Sequence, residues 1–435
     1  MEVVAGVSLR WIFPAAVAVL VHYLYYTVWR KTAEVRRKLR AQGVWGPPPS
    51  VLYGNLPEMQ KIQLQAAVAA PPNQASAIVA HDYTSTLFPY FVKWTKEYGP
   101  LYTYTTGGRQ HLYANKVEMV KDADVISRAC FGSSYAKGKE IFSKLRDLQK
   151  LVSEGNFSFG HISFSDRFFQ PSKHRRIKKL EKEIESLIWE TVQQRQQECA
   201  KTKSSSEKDL LQLIMEAAMS DPTVGGCSDS SKKFIVDNCK SIYFAGHEST
   251  AVAATWSLML LALHPKWQDR IRSELAQACP DGHPDTAAIS QLKSVGMVVQ
   301  ETLRLYPPAA FVAREAFVDT RLGDVVVPKG VCIWTLIPML HRDAEIWGGD
   351  ANEFKPERFV NGIAKACKYP QAYLPFGAGP RLCLGKNFAL VQLKIIVSMV
   401  VSKFRFSLSP DYRHCPSYRM IVEPADGVKI VFQRV

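Results

Sequence analysis

The sequence predicts a mainly helical protein with a small amount of sheet, preceded by an N-terminal transmembrane helix. A mostly apolar run from Phe234 to Leu263 is long enough for a central helix and stops at His264-Pro265, where proline halts a helix. Residues 173–220 alternate polar and apolar residues as amphipathic helices do, whereas the strand-like segments are short. We expect one large domain behind the membrane helix, because no internal linker or repeat divides the chain.

The N-terminal segment Trp11–Trp29 is nineteen residues long and contains no formal charge. As a helix it has about the length needed to cross a hydrocarbon core of roughly 30 Å. Trp and Tyr lie near its ends, as interfacial residues do. A cleaved signal peptide is the alternative, but here the strong positive charge follows the apolar segment and bulky aromatics occupy its exit. We interpret residues 1–30 as a single-pass anchor, with the remainder of the chain in the cytosol.

Residues 31–50 are predicted to form a basic and proline-rich hinge. Gly46 is followed by three prolines, which stiffen the backbone. Basic residues beside a membrane span favour anionic lipid, and the net charge of +15 does not indicate nucleic acid because no aromatic residues interleave with the basic clusters. Residues 51–435 remain for the large domain. The basic residues that follow the apolar segment are Arg30, Lys31, Arg36, Arg37, Lys38 and Arg40.

Local patterns place the elements of the large domain in order along the chain. The predicted elements are a helix at Ser85–Tyr98, strands near Leu101–Thr105 and His111–Ala114, amphipathic helices within 173–220, a loop at 221–231, the helix Phe234–Leu263, mixed helices and strands over 287–345, a helix from about Gly385 to Phe404, and short strands at the end.

The nine cysteines are odd in number, are scattered and include no C-x-x-C pair. This pattern indicates neither a zinc site nor a disulfide framework, and it favours a reducing compartment. A free cysteine is usually a small buried hydrophobic residue, so a chemical role for any one of them needs further support.

One cysteine, Cys383, has such support from the residues around it. It lies in the run FGAGPRLCLG, which precedes an apolar helix. Gly379 and Gly385 let the backbone approach a flat macrocycle and leave amides that can point at the sulfur. Arg381 can pair with a negatively charged propionate, and Phe376 can pack beside the sulfur and limit water. Taken together, the ten residues indicate a metal-binding thiolate and not a core cysteine.

This run resembles the haem-binding signature of the cytochrome P-450 superfamily. The resemblance implies the P-450 fold and haem b, with Cys383 as the axial ligand of the iron. Two further segments resemble family motifs in the expected order: Glu301 and Arg304 match E-x-x-R, whose charged ends share one helix face, and Arg358 lies in the partner segment PERF. The resemblance implies a buried network of these three side chains that organises the haem pocket. It also implies Arg314 as a further propionate contact.

The predicted long helix contains the run AGHEST. Glycine inside a helix costs about 1 kcal/mol relative to alanine, so Gly246 indicates a local requirement. In the family this stretch crosses the distal haem face, where a local distortion of the helix makes room for dioxygen and an acid–alcohol pair relays protons. The resemblance implies Glu248 as the acid, and Ser249, where threonine is more usual, or Thr250 as the alcohol. His247 is expected to face away.

The resemblance implies a monooxygenase that inserts one oxygen atom from dioxygen into a substrate C–H bond. Its partners would be an NADPH-cytochrome reductase, which delivers two electrons, the membrane of the endoplasmic reticulum and a small-molecule substrate, with no nucleic acid. The thiolate favours O–O cleavage, and a basic surface beside it suits an acidic reductase. A haem-thiolate isomerase or dehydratase needs no reductase and is disfavoured by the presence of Glu248 and Ser249.

Several segments resemble a plant clan of gibberellin-modifying oxidases, namely AGHEST, ETLRLYPPAAF, LHRD, NEFKPERF and LSPDYRH. Within this clan the chain is most similar to gibberellin 13-oxidases, so hydroxylation of the diterpenoid hormone at carbon 13 is expected. Epoxidation of the gibberellin 16,17 bond is the alternative. The substrate follows from the resemblance alone, because no residue specifies it independently.

The chain departs from the family in one respect. A W-x-x-x-R helix normally precedes the E-x-x-R segment and contacts the haem propionates, but none of the nine tryptophans has Arg four residues later. Near residues 120–130 the sequence passes from an early-sheet segment to ADVISRACFGSSY. We therefore expect that a family segment, including the first substrate-recognition loop, is missing and that the haem-thiolate catalytic domain is internally shortened. An isoform without haem or activity is a further alternative.

Overall fold

The computed structural model describes residues 30–50, 53–69, 81–115, 135–153, 171–201, 210–220, 228–279 and 286–435, with Val19 and Tyr26 as isolated positions. The predicted anchor segment and the predicted shortening near 120–130 lie outside these ranges. Within the described ranges, no helix is both long and apolar enough to span a membrane. The chain divides into two compact units: a first unit of Met1–Asp124 and Ala310–Gly379, and a second unit of Val125–Ala309 and Pro380–Val435.

The described helices and strands agree with the mainly helical class and its minor sheet. The helices are α1 (Lys31–Arg40), α2 (Leu56–Ala69), α3 (Thr84–Leu87), α4 (Pro89–Tyr98), α5 (Tyr135–Ser153), α6 (Pro171–Lys201), α7 (Leu210–Ser220), α8 (Ser228–Leu263), α9 (Pro265–Ala278), α10 (Thr286–Gln291), α11 (Lys293–Leu305), α12 (Ile337–Leu340), α13 (Ala344–Trp347) and α14 (Lys386–Lys403). The strands are β1 (Leu101–Thr106), β2 (Arg109–Ala114), β3 (Phe311–Glu315), β4 (Thr320–Leu322), β5 (Val325–Val327), β6 (Cys332–Leu336), β7 (Phe404–Leu408), β8 (Pro416–Arg419), β9 (Ile421–Pro424) and β10 (Ile430–Arg434).

A four-stranded sheet organises the first unit. The strands lie in the order β1-β2-β6-β3, with β2 and β6 parallel and the other two pairs antiparallel. Tyr102 and Tyr113 stack across β1 and β2 with ring centroids 4.6 Å apart, and Phe91 of α4 stacks on Tyr113 at 5.2 Å. These rings are fully buried, as aromatic side chains in a sheet–helix core are. The predicted strands at residues 101–105 and 111–114 are therefore confirmed.

The predicted helix Ser85–Tyr98 is wrong as a single element. It is divided into α3 and α4 at Phe88, whose φ of −132° and ψ of 48° are not helical. The following Pro89 explains the break, since proline disfavours helical geometry in the residue before it and is well suited to the first position of a helix.

In the second unit, four helices share a hydrophobic core. Leu145 of α5, Ile188 of α6, Leu211 of α7 and Val236 of α8 are buried in one cluster. β7 pairs with β10 and β8 pairs with β9, which confirms short strands at the end of the chain. This packing places α5 directly against α8, the helix that contains the AGHEST run.

The predicted end of α8 and the predicted start of α14, the helix that follows Cys383, are both confirmed. α8 ends at Leu263 because His264, with φ −124° and ψ 72°, precedes Pro265. α8 begins at Ser228, so the last residues of the predicted loop 221–231 are helical. α14 begins at Lys386, immediately after Gly385, and ends at Lys403.

Candidate functional site

Cys383 lies in the turn immediately before α14. Gly385 is the N-cap of this helix, and the backbone N–H groups of Gly385 and Lys386 hydrogen-bond to the cysteine sulfur. The Lys386 N–H also donates to the Cys383 carbonyl oxygen at 3.2 Å. The sulfur therefore faces two donors at the positive end of a helix dipole, and this arrangement stabilises a thiolate.

Two opposing effects set the protonation of Cys383. Although part of the residue reaches solvent, desolvation of the sulfur raises the pKa of the thiol, whereas the two backbone N–H groups lower it. The net pKa lies above its ordinary value. The polypeptide alone therefore favours the thiol at neutral pH, and a bound metal cation would be needed to remove the proton.

The remaining residues of the signature fall on both sides of the boundary between the units. Phe376, which is half-buried, and Gly379 end the first unit, and Gly379 has φ +59°, a left-handed conformation that favours glycine. Arg381 is exposed at the end of a short 3-10 turn in the second unit. A Cβ added at Gly385 would meet no described atom within 4 Å. A side chain at position 385 would thus contact none of the described residues.

Glu301 and Arg304 form a bidentate ion pair on α11. The Arg304 Nε donates to Oε2 at 2.7 Å and its Nη2 donates to Oε1 at 2.8 Å. Both side chains have no solvent exposure. The N-terminus of the same helix is capped by Glu274 of α9, whose carboxylate accepts the backbone N–H groups of Lys293 at 2.8 Å and Ser294 at 2.9 Å. The charged pair is therefore held on a helix whose start is fixed.

Arg358 and Arg314 lie in the first unit, and each has partners there. Arg358 pairs with the Asp350 carboxylate at 2.6 Å and donates to the Trp347 carbonyl oxygen at 2.9 Å. Asp350 was not predicted, although it lies only eight residues before Arg358. Arg314 is half-buried on β3 and donates to the carbonyl oxygen of Ala313 at 2.7 Å. The contact of Arg358 with the α11 pair and the propionate role of Arg314 stay predictions.

The AGHEST run lies within α8. Gly246 is exposed, and a Cβ added there would meet no described atom within 4 Å. The Ser249 hydroxyl donates to the Ala245 carbonyl oxygen at 2.5 Å, whereas Thr250 is buried. A serine that bonds back to residue i−4 competes with the helix ladder and loosens it locally. The two candidate alcohols therefore differ in access, and the more exposed one is already bonded to the backbone.

Glu248 is the most buried member of the run, with a side-chain exposure of 3%. The guanidinium of Arg146 on α5 binds it in a bidentate manner, with Nε to Oε1 at 3.1 Å and Nη2 to Oε2 at 2.6 Å. His247 Nδ1 lies 3.4 Å from Oε1. Burial raises the pKa of Glu248, but the hydrogen bonds and charges of His247 and Arg146 outweigh it, so the net pKa is lowered. Arg146 was missed because no sequence pattern links residues 102 positions apart.

Comparison with known proteins identifies the family. The cytochrome P450 profile matches residues 122–432, which is well over half of the chain. The chain belongs to the cytochrome P450 family. It is 46% identical to cytochrome P450 714A2 of Arabidopsis thaliana over 493 positions, covering 91% of this chain and 92% of the relative. Cytochrome P450 714C2 of rice is 38% identical, with 96% of each chain covered, and cytochrome P450 714B3 of maize is 37% identical, with 95% and 93% covered.

Membership of this family makes the chain a monooxygenase enzyme. Cytochromes P450 use haem with an axial cysteine thiolate, and they act on small-molecule substrates with a reductase as redox partner. The donor set at Cys383 fits this cofactor, because a soft sulfur ligand is supported by two backbone N–H groups.

Proposed function

We propose that this P450 binds haem b through Cys383 and hydroxylates a diterpenoid substrate. The observation that carries the proposal is the pair of backbone N–H donors at the sulfur, in the turn before α14. Such donors moderate the charge of a metal-bound thiolate. The residues proposed to complete the cofactor site are Phe376, Gly379, Arg381, Gly385 and Arg314, with Gly246 on the opposite side.

When bound, the haem thiolate supplies the activation of dioxygen, with two electrons that originate from NADPH. The residues of α8 would hold and move the protons. Glu248 is an ionised carboxylate in a buried position, so it can accept a proton and pass it to the hydroxyl of Ser249 or Thr250. To take part, the Ser249 hydroxyl would first break its hydrogen bond to the Ala245 carbonyl oxygen. It would then hydrogen-bond to the group that carries the proton. Gly246 leaves this face of the helix open to a ligand.

The three charged residues of the predicted network are Glu301, Arg304 and Arg358. Glu301 and Arg304 neutralise each other inside the second unit, and Arg358 is fixed by Asp350 in the first unit. We assign these residues a positioning role for the cofactor site, because none of them exposes a charge suited to substrate binding.

Gibberellin is the proposed substrate, with hydroxylation at carbon 13. The support is the resemblance of the motifs AGHEST, ETLRLYPPAAF and LSPDYRH to the gibberellin-modifying clan. Epoxidation at the 16,17 bond is the second candidate, since it rests on the same motifs. NADPH-cytochrome reductase is the proposed electron donor.

A membrane location is also part of the proposal. Residues 1–30 would anchor the chain in the endoplasmic reticulum as a single span, with the hinge at 31–50 and the catalytic domain at 51–435 in the cytosol. The charge-free segment Trp11–Trp29 and the basic residues after it support this assignment.

An isoform without haem or activity is favoured by a separate observation. The chain lacks W-x-x-x-R, and its alignment with the Arabidopsis relative extends over 493 positions although the chain has only 435 residues. Part of the relative therefore has no counterpart in this chain. We propose, from the sequence pattern, that an internal shortening lies near residues 120–130. Loss of a propionate-binding helix would weaken haem retention.

A carbon monoxide difference spectrum of reduced membranes that contain the full chain separates these possibilities. A thiolate-type Soret band that is lost in Cys383→Ala supports the enzyme, whereas absence of the band in the unmodified chain supports the inactive isoform. If the band is present, NADPH-dependent conversion of a gibberellin panel should give the 13-hydroxy product or the 16,17-epoxide. Turnover with a hydroperoxide or endoperoxide alone would favour the isomerase reading instead.

A further inference from the structure

Four side chains of the second unit contact one another in series, from the interior to the surface. The Trp256 ring of α8 stacks on the Tyr306 ring, which follows α11, with centroids 4.3 Å apart and an angle of 18° between the planes. The Tyr306 hydroxyl lies 3.2 Å from Nε2 of His414, and the Tyr412 hydroxyl lies 2.9 Å from Nδ1 of the same ring. Trp256 and Tyr306 have no solvent exposure, whereas His414 and Tyr412 are half-buried. The four residues form an aromatic relay that begins in the core and ends at solvent.

The buried end of the aromatic relay is held at its edge as well as at its face. The Trp256 Nε1 donates to the Val422 carbonyl oxygen at 3.0 Å, and the Val422 N–H donates to the Pro308 carbonyl oxygen at 2.9 Å. Strand β9 therefore connects Trp256 to the segment that contains Tyr306. Stacking is one of the favoured arrangements of aromatic pairs. The two rings thus keep the face-to-face contact through which an electron can pass between them.

The His414 ring lies between two phenols, and its protonation decides what it can do there. Burial lowers the pKa of His414 to about 4, so the ring is neutral at neutral pH. A neutral imidazole has one N–H and one bare nitrogen. We place the bare nitrogen at Nε2, because the buried Tyr306 hydroxyl needs an acceptor whereas the half-buried Tyr412 can donate to water. Tyr306 then donates to Nε2, and Nδ1–H donates to the Tyr412 oxygen.

We propose that the aromatic relay is a hole-transfer path, which carries a one-electron oxidising equivalent from the core to the surface. The oxidising equivalent comes from a one-electron oxidant formed inside the protein, such as one that a monooxygenase draws from dioxygen and does not pass to its substrate. Trp256 gives one electron to this oxidant and becomes a radical cation. Tyr306 then gives one electron to Trp256, while the Tyr306 O–H bond breaks and its proton binds Nε2 of His414.

The second transfer brings the radical to the surface. Tyr412 gives one electron to the Tyr306 radical, the proton on Nε2 returns to the Tyr306 oxygen, and the Tyr412 proton passes to water. A soluble thiol then gives one hydrogen atom to the Tyr412 radical, which restores the phenol and leaves a thiyl radical in solution. Every residue of the aromatic relay returns to its starting state, and the oxidant has gained one electron that the thiol supplied. The relay thus spares the core from irreversible oxidation.

Ultraviolet photoionisation tests the aromatic relay in the full chain without haem. An intense flash removes electrons from buried and exposed tryptophans alike, and cobalt(III) hexaammine captures the ejected electrons. Transient absorption follows the decay of tryptophan radicals and the rise of tyrosyl radicals. The variants are Trp256→Phe, Tyr306→Phe, which keeps the stacked ring, and His414→Gln, which accepts a hydrogen bond but not a proton. The matched control Tyr243→Phe removes a tyrosine that lies about 20 Å from Trp256 along α8.

We expect a first-order tyrosyl rise in the unmodified chain and in Tyr243→Phe. This phase should be lost in Trp256→Phe and in Tyr306→Phe. In His414→Gln it should be slower by roughly tenfold or more, because the phenol loses the base that takes its proton. Added thiol should shorten the lifetime of the tyrosyl radical in the unmodified chain but not in Tyr412→Phe. Circular dichroism verifies that each variant is folded.

The opposite results would overturn each step. A tyrosyl rise that persists unchanged in Tyr306→Phe, or that is lost equally in Tyr243→Phe, contradicts the path from Trp256. An unchanged rate in His414→Gln contradicts proton transfer to the imidazole, and thiol quenching that persists in Tyr412→Phe contradicts the exit at that residue. If the variants of the two buried rings do not fold, His414→Gln and Tyr412→Phe decide the matter. Because the flash replaces the oxidant, the result is independent of haem binding and of the proposed substrate.

Discussion

Replacement of Arg304 by methionine should destabilise the second unit more than any surface substitution. Glu301 and Arg304 are fully buried and are joined by hydrogen bonds of 2.7 and 2.8 Å. Arg304→Met would leave the Glu301 carboxylate without this partner in the protein interior. Removal of one partner of a buried ion pair costs about 3–5 kcal/mol. The double variant Glu301→Leu with Arg304→Met should recover much of this loss, because it removes both charges.

Urea unfolding of the full chain, followed by tryptophan fluorescence and circular dichroism, measures these effects as changes in the transition midpoint. Glu34→Gln is the matched control, since it removes an exposed i,i+4 ion pair with Lys38 and should cost less than ~0.5 kcal/mol. If Arg304→Met costs no more than Glu34→Gln, the buried pair does not stabilise this unit. If the double variant is as unstable as the single one, loss of the Arg304 partner by the Glu301 carboxylate is not the cause of the instability.

Three further predictions concern the second unit. Glu274→Ala should destabilise the unit by roughly 1–2 kcal/mol in urea unfolding, because it removes the cap of α11; a loss comparable to Glu34→Gln would contradict this role. Trp256→Phe should cost about 1 kcal/mol in the same assay, since Nε1 donates to the buried Val422 carbonyl oxygen at 3.0 Å; an unchanged midpoint would show that this bond contributes nothing. Burial lowers the pKa of His414 to about 4, so its contribution to stability is complete above pH ~6.5 and is lost as the pH falls toward about 4. His414→Gln should therefore make the melting temperature less dependent on pH over that range. An unchanged slope of melting temperature against pH would refute the lowered pKa of His414.

Much of the helical framework could be predicted because its signals are local. Proline after His264 ends α8, and Gly385 precedes α14, so both limits follow from neighbouring residues. The break at Phe88 was missed although Pro89 is visible in the sequence, because the aromatic pattern continues through it. The start of α8 at Ser228 was also missed, since polar residues in a first helical turn resemble a loop.

In the candidate site, too, the features with local sequence signals could be predicted and the others could not. A sequence motif can identify two features of the site: Cys383 with its two N–H donors, and the Glu301–Arg304 pair. Within each feature the residues lie no more than three positions apart. Arg146 could not be predicted, because its proximity to Glu248 depends on how α5 packs against α8. The sequence of an amphipathic helix does not show whether a charged residue on it contacts a buried partner or solvent.

Gly246 gives a test of whether α8 is shaped for a ligand or for its own packing. A Cβ at this position would meet no described atom within 4 Å, so no described contact requires glycine there. Gly246→Ala should therefore stabilise the haem-free chain by about 0.5–1 kcal/mol, through the lower helix propensity of glycine. If the glycine serves a bound cofactor and dioxygen, the same variant should weaken the carbon monoxide difference band or lower oxygen consumption. A less stable haem-free chain would show instead that the polypeptide itself needs the glycine, and Ala251→Gly, on an exposed position of the same helix, provides the reverse control.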